Sequence, residues 1–316
     1  MLRILLVKTS SLGDVVHNLP VVSDVRRHFP EAAIDWVVEE SYVPLVQLHS
    51  AVRRVIPVAM RRWRARMLGR GTWRDIGEFR HRFRAEEYDA IIDTQGLLKS
   101  ALIARAAHGR RHGFDASSAR EGLAARLYNI VHHVHRAQHA VLRNRHLAAA
   151  SLGYRVEEPT DYGIKAASVA GGRNKYCVLL HGTSRADKLW SVDSWIALGR
   201  RLEERHYECV LPWGSEVERE RSERIAAGLR LASVPPLLPL GRMAELLSGA
   251  RAVVGVDTGL VHLAAALERP VVAIFCGSDP ALTGVYGARH GRNLGQHGLP
   301  PSPDKVLSAL LEMEAQ

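Results

Sequence analysis

The chain has 316 residues, 47% apolar and 24% charged, a balance that supports large buried interiors and excludes a disulfide-stapled miniprotein, a disordered chain or a collagen-like repeat. At roughly 150 residues per domain, two cores are expected. Lys and Arg number 43 against 33 Asp and Glu, giving a formal charge of +10 carried almost entirely by Arg, so the surface favours an anionic partner. Cys177, Cys209 and Cys276 lie far apart with no C-x-x-C pair, which points to neither a disulfide framework nor a zinc knuckle and suits a reducing cytosol. The opening apolar run is too short for a secretory signal. The weakly polar stretch 246–267, broken by Arg251 and Asp257, cannot supply the ~20 apolar residues a bilayer requires. Any membrane contact is therefore expected to be peripheral.

Short β-branched runs alternate with amphipathic stretches, the pattern of βαβ units around parallel sheets. In the first half the expected strands are 4–7, 34–38, 55–58 and 90–93. Helical periods lie between them at Val15, Val16, Leu19 and Val22, and again at Leu97, Leu98 and Leu102; Pro30 closes the first helix. A basic, His-rich region over 110–145 follows, with helices expected at 120–128 and 138–152. The periodicity fades over 153–174, which contains Pro159, Gly163, Gly171 and Gly172, and the interdomain linker is expected there. A second α/β series has strands at 176–181, 207–212, 252–257 and 271–275, with helices starting at Ser191, Glu216 and Thr258. Residues 303–314 read as a final helix capped by Ser302. The fold class is thus α/β, two doubly wound halves, in which ligands bind beyond the carboxyl ends of strands.

The first strand ends in K-T-S-S-L-G-D, residues 8–14, and opens a helix. Neither G-x-G-x-x-G nor G-x-x-x-x-G-K-[ST] is present, so a nicotinamide cofactor is not expected. Asp14 has two readings: an acid complementing a helix dipole, or a base for a substrate hydroxyl. In the second half, Thr183, Ser184 and Lys188 follow a strand, as do Asp257, Thr258, Gly259 and His262. Hydroxyls, an ammonium and helix-terminal amides could together grip a diphosphate, while D-T-G is equally an ordinary strand-to-helix turn. Glu218, in an acidic-basic helix, reads either as part of a solvated face or as a ribose ligand. The run R-R-W-R-A-R at 61–66, extended by Arg70 and Arg74, could bind RNA, lie against anionic lipid, or form a solvated loop. Lys99, Arg120, Arg143 and Arg145 fall in the same half and could join it. His108, His112, His132, His133, His135 and His139 form no H-E-x-x-H, and metal ligation is not expected.

Taken in order, K-T-S-S-L-G-D at 8–14, D-W-V-V-E-E at 35–40, I-P-V-A-M-R-R-W-R at 56–64, D-T-Q-G-L-L-K-S at 93–100, L-P-W-G at 211–214 and V-D-T-G-L-V-H-L at 256–263 resemble the lipopolysaccharide heptosyltransferases of glycosyltransferase family 9, in particular those of the first type. The resemblance runs over essentially the whole chain. It implies a GT-B fold of two Rossmann-like domains facing across a cleft: an acceptor domain over 1–165, an ADP-sugar domain over 166–300, and a helix over 301–316 crossing back to the first. It also implies inverting transfer of L-glycero-D-manno-heptose from ADP-heptose to the first Kdo of Kdo2-lipid A. The enzyme would work in the cytoplasm, peripherally at the inner face of the inner membrane, without cofactor or metal and with no nucleic-acid partner.

By the same resemblance Asp14 would deprotonate the acceptor hydroxyl and Lys188 would neutralise the departing ADP. Thr183 and Ser184 would flank the diphosphate. Asp257, Thr258, Gly259 and His262 would form the donor loop, and Glu218 would face the ribose. Arg61, Arg62, Arg64, Arg120 and Arg143, with Ser11, Gly13 and Lys99, would meet the acceptor. The sequence departs from the family pattern at Ala65, where a cation is usual, and at Leu189, where a histidine often stands. Competing readings are a heptosyltransferase of the second type, a sugar-nucleotide epimerase on a related scaffold, and an arginine-rich nucleic-acid-binding protein.

Overall fold

The computed structural model describes residues 1–66, 69–84, 86–167 and 175–314. Gly171 and Gly172 of the expected linker, and the Arg70 side chain, lie outside the described residues. The chain divides into two compact units, Met1–Gly163 and Ile164–Gln316, where the sequence reading draws the boundary between 165 and 166.

The first unit carries β1 (Arg3–Val7), β2 (Ala33–Glu39), β3 (Val52–Val58), β4 (Glu87–Asp93), β5 (His108–Phe114) and β6 (Ile130–His132), all parallel, in the order β3-β2-β1-β4-β5-β6. The second carries β7 (Tyr176–Leu180), β8 (Glu208–Val210), β9 (Ala232–Ser233), β10 (Ala252–Val256), β11 (Val271–Ile274) and β12 (Gly291–Leu294), also parallel, in the order β12-β11-β10-β7-β8-β9. Counted from each unit's own first strand, both sheets have the order 3-2-1-4-5-6. Ile4 to Val7 and Ala252 to Val256 are wholly buried, as central strands covered on both faces must be, which is why they read as unbroken apolar runs. The order reverses where β1 lies beside β4 and β7 beside β10, and the loops after these four strands are where each sheet opens a crevice.

Several expected elements take a different form. The first helical stretch is two helices, Leu12–Val16 and Leu19–His28. Pro20 lacks an N–H to donate and therefore sits in the first turn of the second helix. The expected helix 120–128 is only a 3-10 turn, Gly122–Leu127, and the His-rich region instead supplies β5 and β6. β5 reads H-G-R-R-H-G-F, with no β-branched residue to announce it. Its Gly113 is required by contact: a Cβ there would lie 2.2 Å from the Tyr128 ring. Arg61 to Ala65 of the basic run lie in helix Met60–Ala65 rather than in a loop, with Arg66 as its C-cap, and helix Arg70–Phe83 comes after it. Strands β9 and β12 were not anticipated.

The last helix, Pro303–Glu314, begins as expected at Ser302, whose hydroxyl accepts from Lys305 N at 3.3 Å. It buries Val306, Leu310 and Met313 in the core that holds Trp195, Leu198 and Leu202. The helix thus packs on the core of the second unit. The three cysteines are buried and unpaired with one another. Among the described residues no helix is long and apolar enough to cross a membrane.

Candidate active site

In the first unit the crevice is built by the loops after β1 and β4. Thr9 donates through both its backbone N–H and its hydroxyl to Gln95 Oε1, at 2.7 and 3.0 Å, and Gln95 Nε2 donates to Ser10 O at 2.5 Å, so the two loops are tied together. Gln95 is in turn held by the carboxylate of Asp93, which accepts from Gln95 N at 2.8 Å and from the Tyr128 hydroxyl at 2.7 Å. Burial pushes the Asp93 carboxyl up, and these donors counter only part of that rise.

Asp14 stands in the first turn after Ser11, from which its Oδ2 accepts the backbone N–H at 3.0 Å and the hydroxyl at 3.2 Å. The reciprocal capping box explains why the acid belongs at this position. Arg120 grips the same carboxylate with two nitrogens, at 2.5 and 3.3 Å. Lys8, buried beneath, donates to Thr94 O at 2.8 Å. Burial alone would raise the Asp14 carboxyl, but the Lys8 ammonium and the Arg120 guanidinium hold it well below the usual carboxylate range. Burial also pushes the Lys8 ammonium down to about 8, against the attraction of Asp14. Asp14 stands in the first turn of its helix, and two cations also converge on it, Lys8 from the position just after β1 and Arg120 from the segment before the 3-10 turn.

The remaining basic residues divide. Arg143 donates to Ser118 O at 2.5 Å and lies 4.9 Å from the Phe114 ring centre; burial, then the repulsion of Arg120 and Arg136, pushes its guanidinium down. Arg120 and Arg143 therefore share one charged neighbourhood. Arg61 donates to the Tyr42 hydroxyl at 3.0 Å, and Arg62 is held by Glu40 at 3.2 Å and Asp75 at 2.7 Å. Arg64 and Lys99 are exposed. Arg145 does not join the patch: it is wholly buried, bidentate on Asp24 at 2.7 and 3.0 Å and bonded to Glu158 and Thr160.

The corresponding reversal in the second unit is also built around a carboxylate, that of Asp257. Lys188, at the end of a 3-10 turn after β7, donates to Asp257 Oδ2 at 2.6 Å, and Ser278, after β11, donates to the same oxygen at 2.5 Å. His262 Nε2 is 3.7 Å from the other oxygen. Burial would raise the Asp257 carboxyl, but His262, Lys188 and Ser278 hold it well below its usual range. Thr183 donates to Asp257 O at 3.3 Å. Thr258 is the extended N-cap of helix Gly259–Ala266, so the helix presents its first amides beside this cluster. Ser184 is exposed on the same loop as Thr183. Glu218 accepts from Gly214 N at 2.7 Å and lies against Gly182, where a Cβ would meet its carboxylate at 2.5 Å. Lys188, Asp257, Thr183, Thr258 and Glu218 are thus brought to the ends of β7, β8 and β10.

Lys8, Gln95 and Ser278 received no role from the sequence, although each directly follows, or falls within a few residues of, the end of a central strand. Among the described residues no cluster of three or more His, Cys, Asp or Glu side chains could hold a metal. His112 and His132 instead face one another at 3.1 Å, ring against ring.

Residues 76–309 match the family model described as glycosyltransferase family 9 (heptosyltransferase). The chain is 48% identical over 294 residues to lipopolysaccharide heptosyltransferase 1 of Pseudomonas aeruginosa, covering 90% of this chain and 82% of that one. It superposes on the solved structure of E. coli heptosyltransferase WaaC with ADP with a TM-score of 0.91 at 41% identity, covering 99% of this chain and 100% of that one. With ADP-2-deoxy-2-fluoro heptose bound, the same E. coli enzyme gives 0.88 at 41%, covering 98% and 99%. Two parallel six-stranded sheets of one strand order, and a close likeness to an enzyme of this kind over nearly every residue, have one reading: the chain belongs to glycosyltransferase family 9, the heptosyltransferases.

Proposed function

We propose that this chain transfers L-glycero-D-manno-heptose from ADP-heptose to the first Kdo of Kdo2-lipid A, with inversion at the anomeric carbon, Asp14 acting as general base. The observation that carries this reading is the Asp14 carboxylate, kept ionised by Lys8 and Arg120 at the strand-order reversal of the first unit. An ionised carboxylate can accept the proton of an attacking hydroxyl, and a positioned base is worth about 10²- to 10⁴-fold. A carboxylate held far below its usual range is a weak base, and Arg120 supplies the remedy. An acidic acceptor sugar competes for the guanidinium, and as Arg120 turns to it Asp14 rises toward ordinary basicity. Arg143 and Lys99, with Arg61, Arg62 and Arg64, supply further positive charge for the acceptor, and Ser11 and Gly13 shape the turn that presents Asp14.

On the donor side Lys188 and the amides of Thr258 and Gly259 meet the charge that develops on the leaving diphosphate. Thr183 and Ser184 donate hydroxyl bonds, Glu218 accepts from a ribose hydroxyl, and Asp257 with His262 sets the lysine's resting position. The chemistry needs no metal, because these groups supply the positive field that a divalent ion would. The 48% identity to a type 1 enzyme supports the Kdo acceptor over a heptosylated one. In the cell the reading places the enzyme in the cytoplasm, peripherally at the inner leaflet that holds its acceptor. Mass spectrometry of Kdo2-lipid A after incubation with ADP-heptose tests it: the lipid gains one heptose, and an unchanged lipid with a heptosylated acceptor extended instead would sink it.

A further inference from the structure

Directly beyond Arg120, the 3-10 turn Gly122–Leu127 and the edge strand β6 form an open groove of about 570 Å³ lined by Ala116, Gly122, Leu123, Ala125, Arg126 and Val131. Leu123 is 56% exposed and Val131 47%, and Ile130 beside it is exposed as well. The neighbouring helix Leu98–Ala106 packs its Ala101 against Ala124 and leaves Leu98 and Leu102, one turn apart, open to solvent. Among the described residues of the first unit, the exposed large apolar side chains other than Met1 and Trp73 all fall in these two segments. A cluster of this kind on a soluble surface marks an interaction site.

Its rim is cationic. Lys99, Arg105, Arg110, Arg120, Arg126 and Arg136 are exposed over the same stretch. Against them stand Asp115, paired with His133, and Glu121, which accepts from Leu98 N at 2.6 Å. An apolar centre within a ring of Arg and Lys suits the boundary between acyl chains and anionic headgroups. The Arg61–Arg64 helix is a poorer candidate, since Glu40 and Asp75 neutralise Arg62.

We infer that the face formed by Gly122–Leu127, β6 and the Leu98–Leu102 edge docks onto an anionic bilayer, seating its leucines and valine at the acyl boundary next to Arg120. The inference rests on the proposed acceptor reading and deepens it. A membrane-embedded acceptor whose sugar must reach Asp14 brings the bilayer to this side of the first unit, because the groove begins two residues after the arginine that holds Asp14.

The test uses the full chain and a Leu123→Asp, Val131→Asp double variant, neither residue being part of the site. Co-sedimentation with vesicles of phosphatidylglycerol and phosphatidylethanolamine is expected to fall at least about tenfold. Activity on Kdo2-lipid A embedded in those vesicles is expected to fall in parallel, while activity on the deacylated, water-soluble acceptor stays at the wild-type level. Independently, Leu123→Cys, labelled with a polarity-sensitive maleimide, is expected to shift its emission to the blue when vesicles are added; the native cysteines are buried and do not compete. Unaltered sedimentation, no emission shift, a change confined to oligomeric state, or loss of vesicle binding in an Arg66→Glu, Arg74→Glu variant alone would each overturn the docking face. Failure of the wild type to add heptose to either acceptor would instead overturn the acceptor reading.

Discussion

The two units share a strand order and differ in what they hold at its reversal. In the first, a carboxylate is surrounded by cations: Asp14 lies between Lys8 and Arg120. In the second, a cation is seated on a carboxylate: Lys188 rests on Asp257, which Ser278 and His262 also steady. Topology fixes where a crevice opens, and a few loop residues decide which charges stand in it; on the proposed reading the first withdraws a proton and the second receives negative charge. Each reversal thus holds a carboxylate against cations, with Arg120 half-exposed on Asp14 and Lys188 largely buried on Asp257, and on the proposed reading the carboxylate acts in the first unit and the cation in the second.

The sharpest way to break the contrast is Asp14→Asn. The amide still accepts from Ser11, so the turn persists, but it cannot take a proton. Turnover should fall about 10²- to 10⁴-fold, with ADP binding by calorimetry unchanged; a variant that turns over normally would strip Asp14 of its role. Next comes Lys188→Ala, expected to lower kcat/KM for ADP-heptose by roughly 10- to 100-fold and to weaken ADP itself. ADP affinity equal to that of the wild type would remove the lysine from the diphosphate.

A subtler difference lies in acid sensitivity. Burial pushes His49 and His112 in the first unit, and His181 in the second, down to about 4. Their folded values lie below the unfolded one, so the unfolded chain binds more protons between pH 4 and 6.5. Their contribution is present above pH 6.5 and is lost as the pH falls toward 4. At pH 5 each histidine should cost roughly 2 kcal/mol. With two such groups against one, hydrogen exchange at pH 7 and pH 5 should show β1, β4 and β5 losing more protection than β7 and β10. Equal losses in the two sheets would show that these histidines do not differ between folded and unfolded chains.

The central strands were legible because burial on both faces writes itself as an apolar run: 4–7, 252–257 and 271–275 need no partner to be recognised. β5 and β6 were not legible, because H-G-R-R-H-G-F becomes a strand only through its pairing with β4 and the seat Gly113 offers Tyr128. Asp14 could be singled out by position, and its family role by resemblance, yet its dependence on Lys8 and Arg120 joins residues a hundred positions apart. Arg145 shows the same limit from the other side. In sequence it is one more cation in a basic helix; in the fold it is a buried tie to Asp24. Local pattern assigns elements, whereas ion pairs closed across the chain decide which charges are left for chemistry.

The bond between Lys188 and Asp257 has a consequence for the catalytic cycle. On the proposed donor role of Lys188, a diphosphate reaching the ammonium would displace a resident counter-ion rather than fill a bare positive hole, so its affinity would be the difference between two pairings. On ADP's departure the carboxylate would resume its place, leaving the lysine paired. Swapping anions in this way would temper how tightly the spent nucleotide clings and keep the site ready for the next sugar.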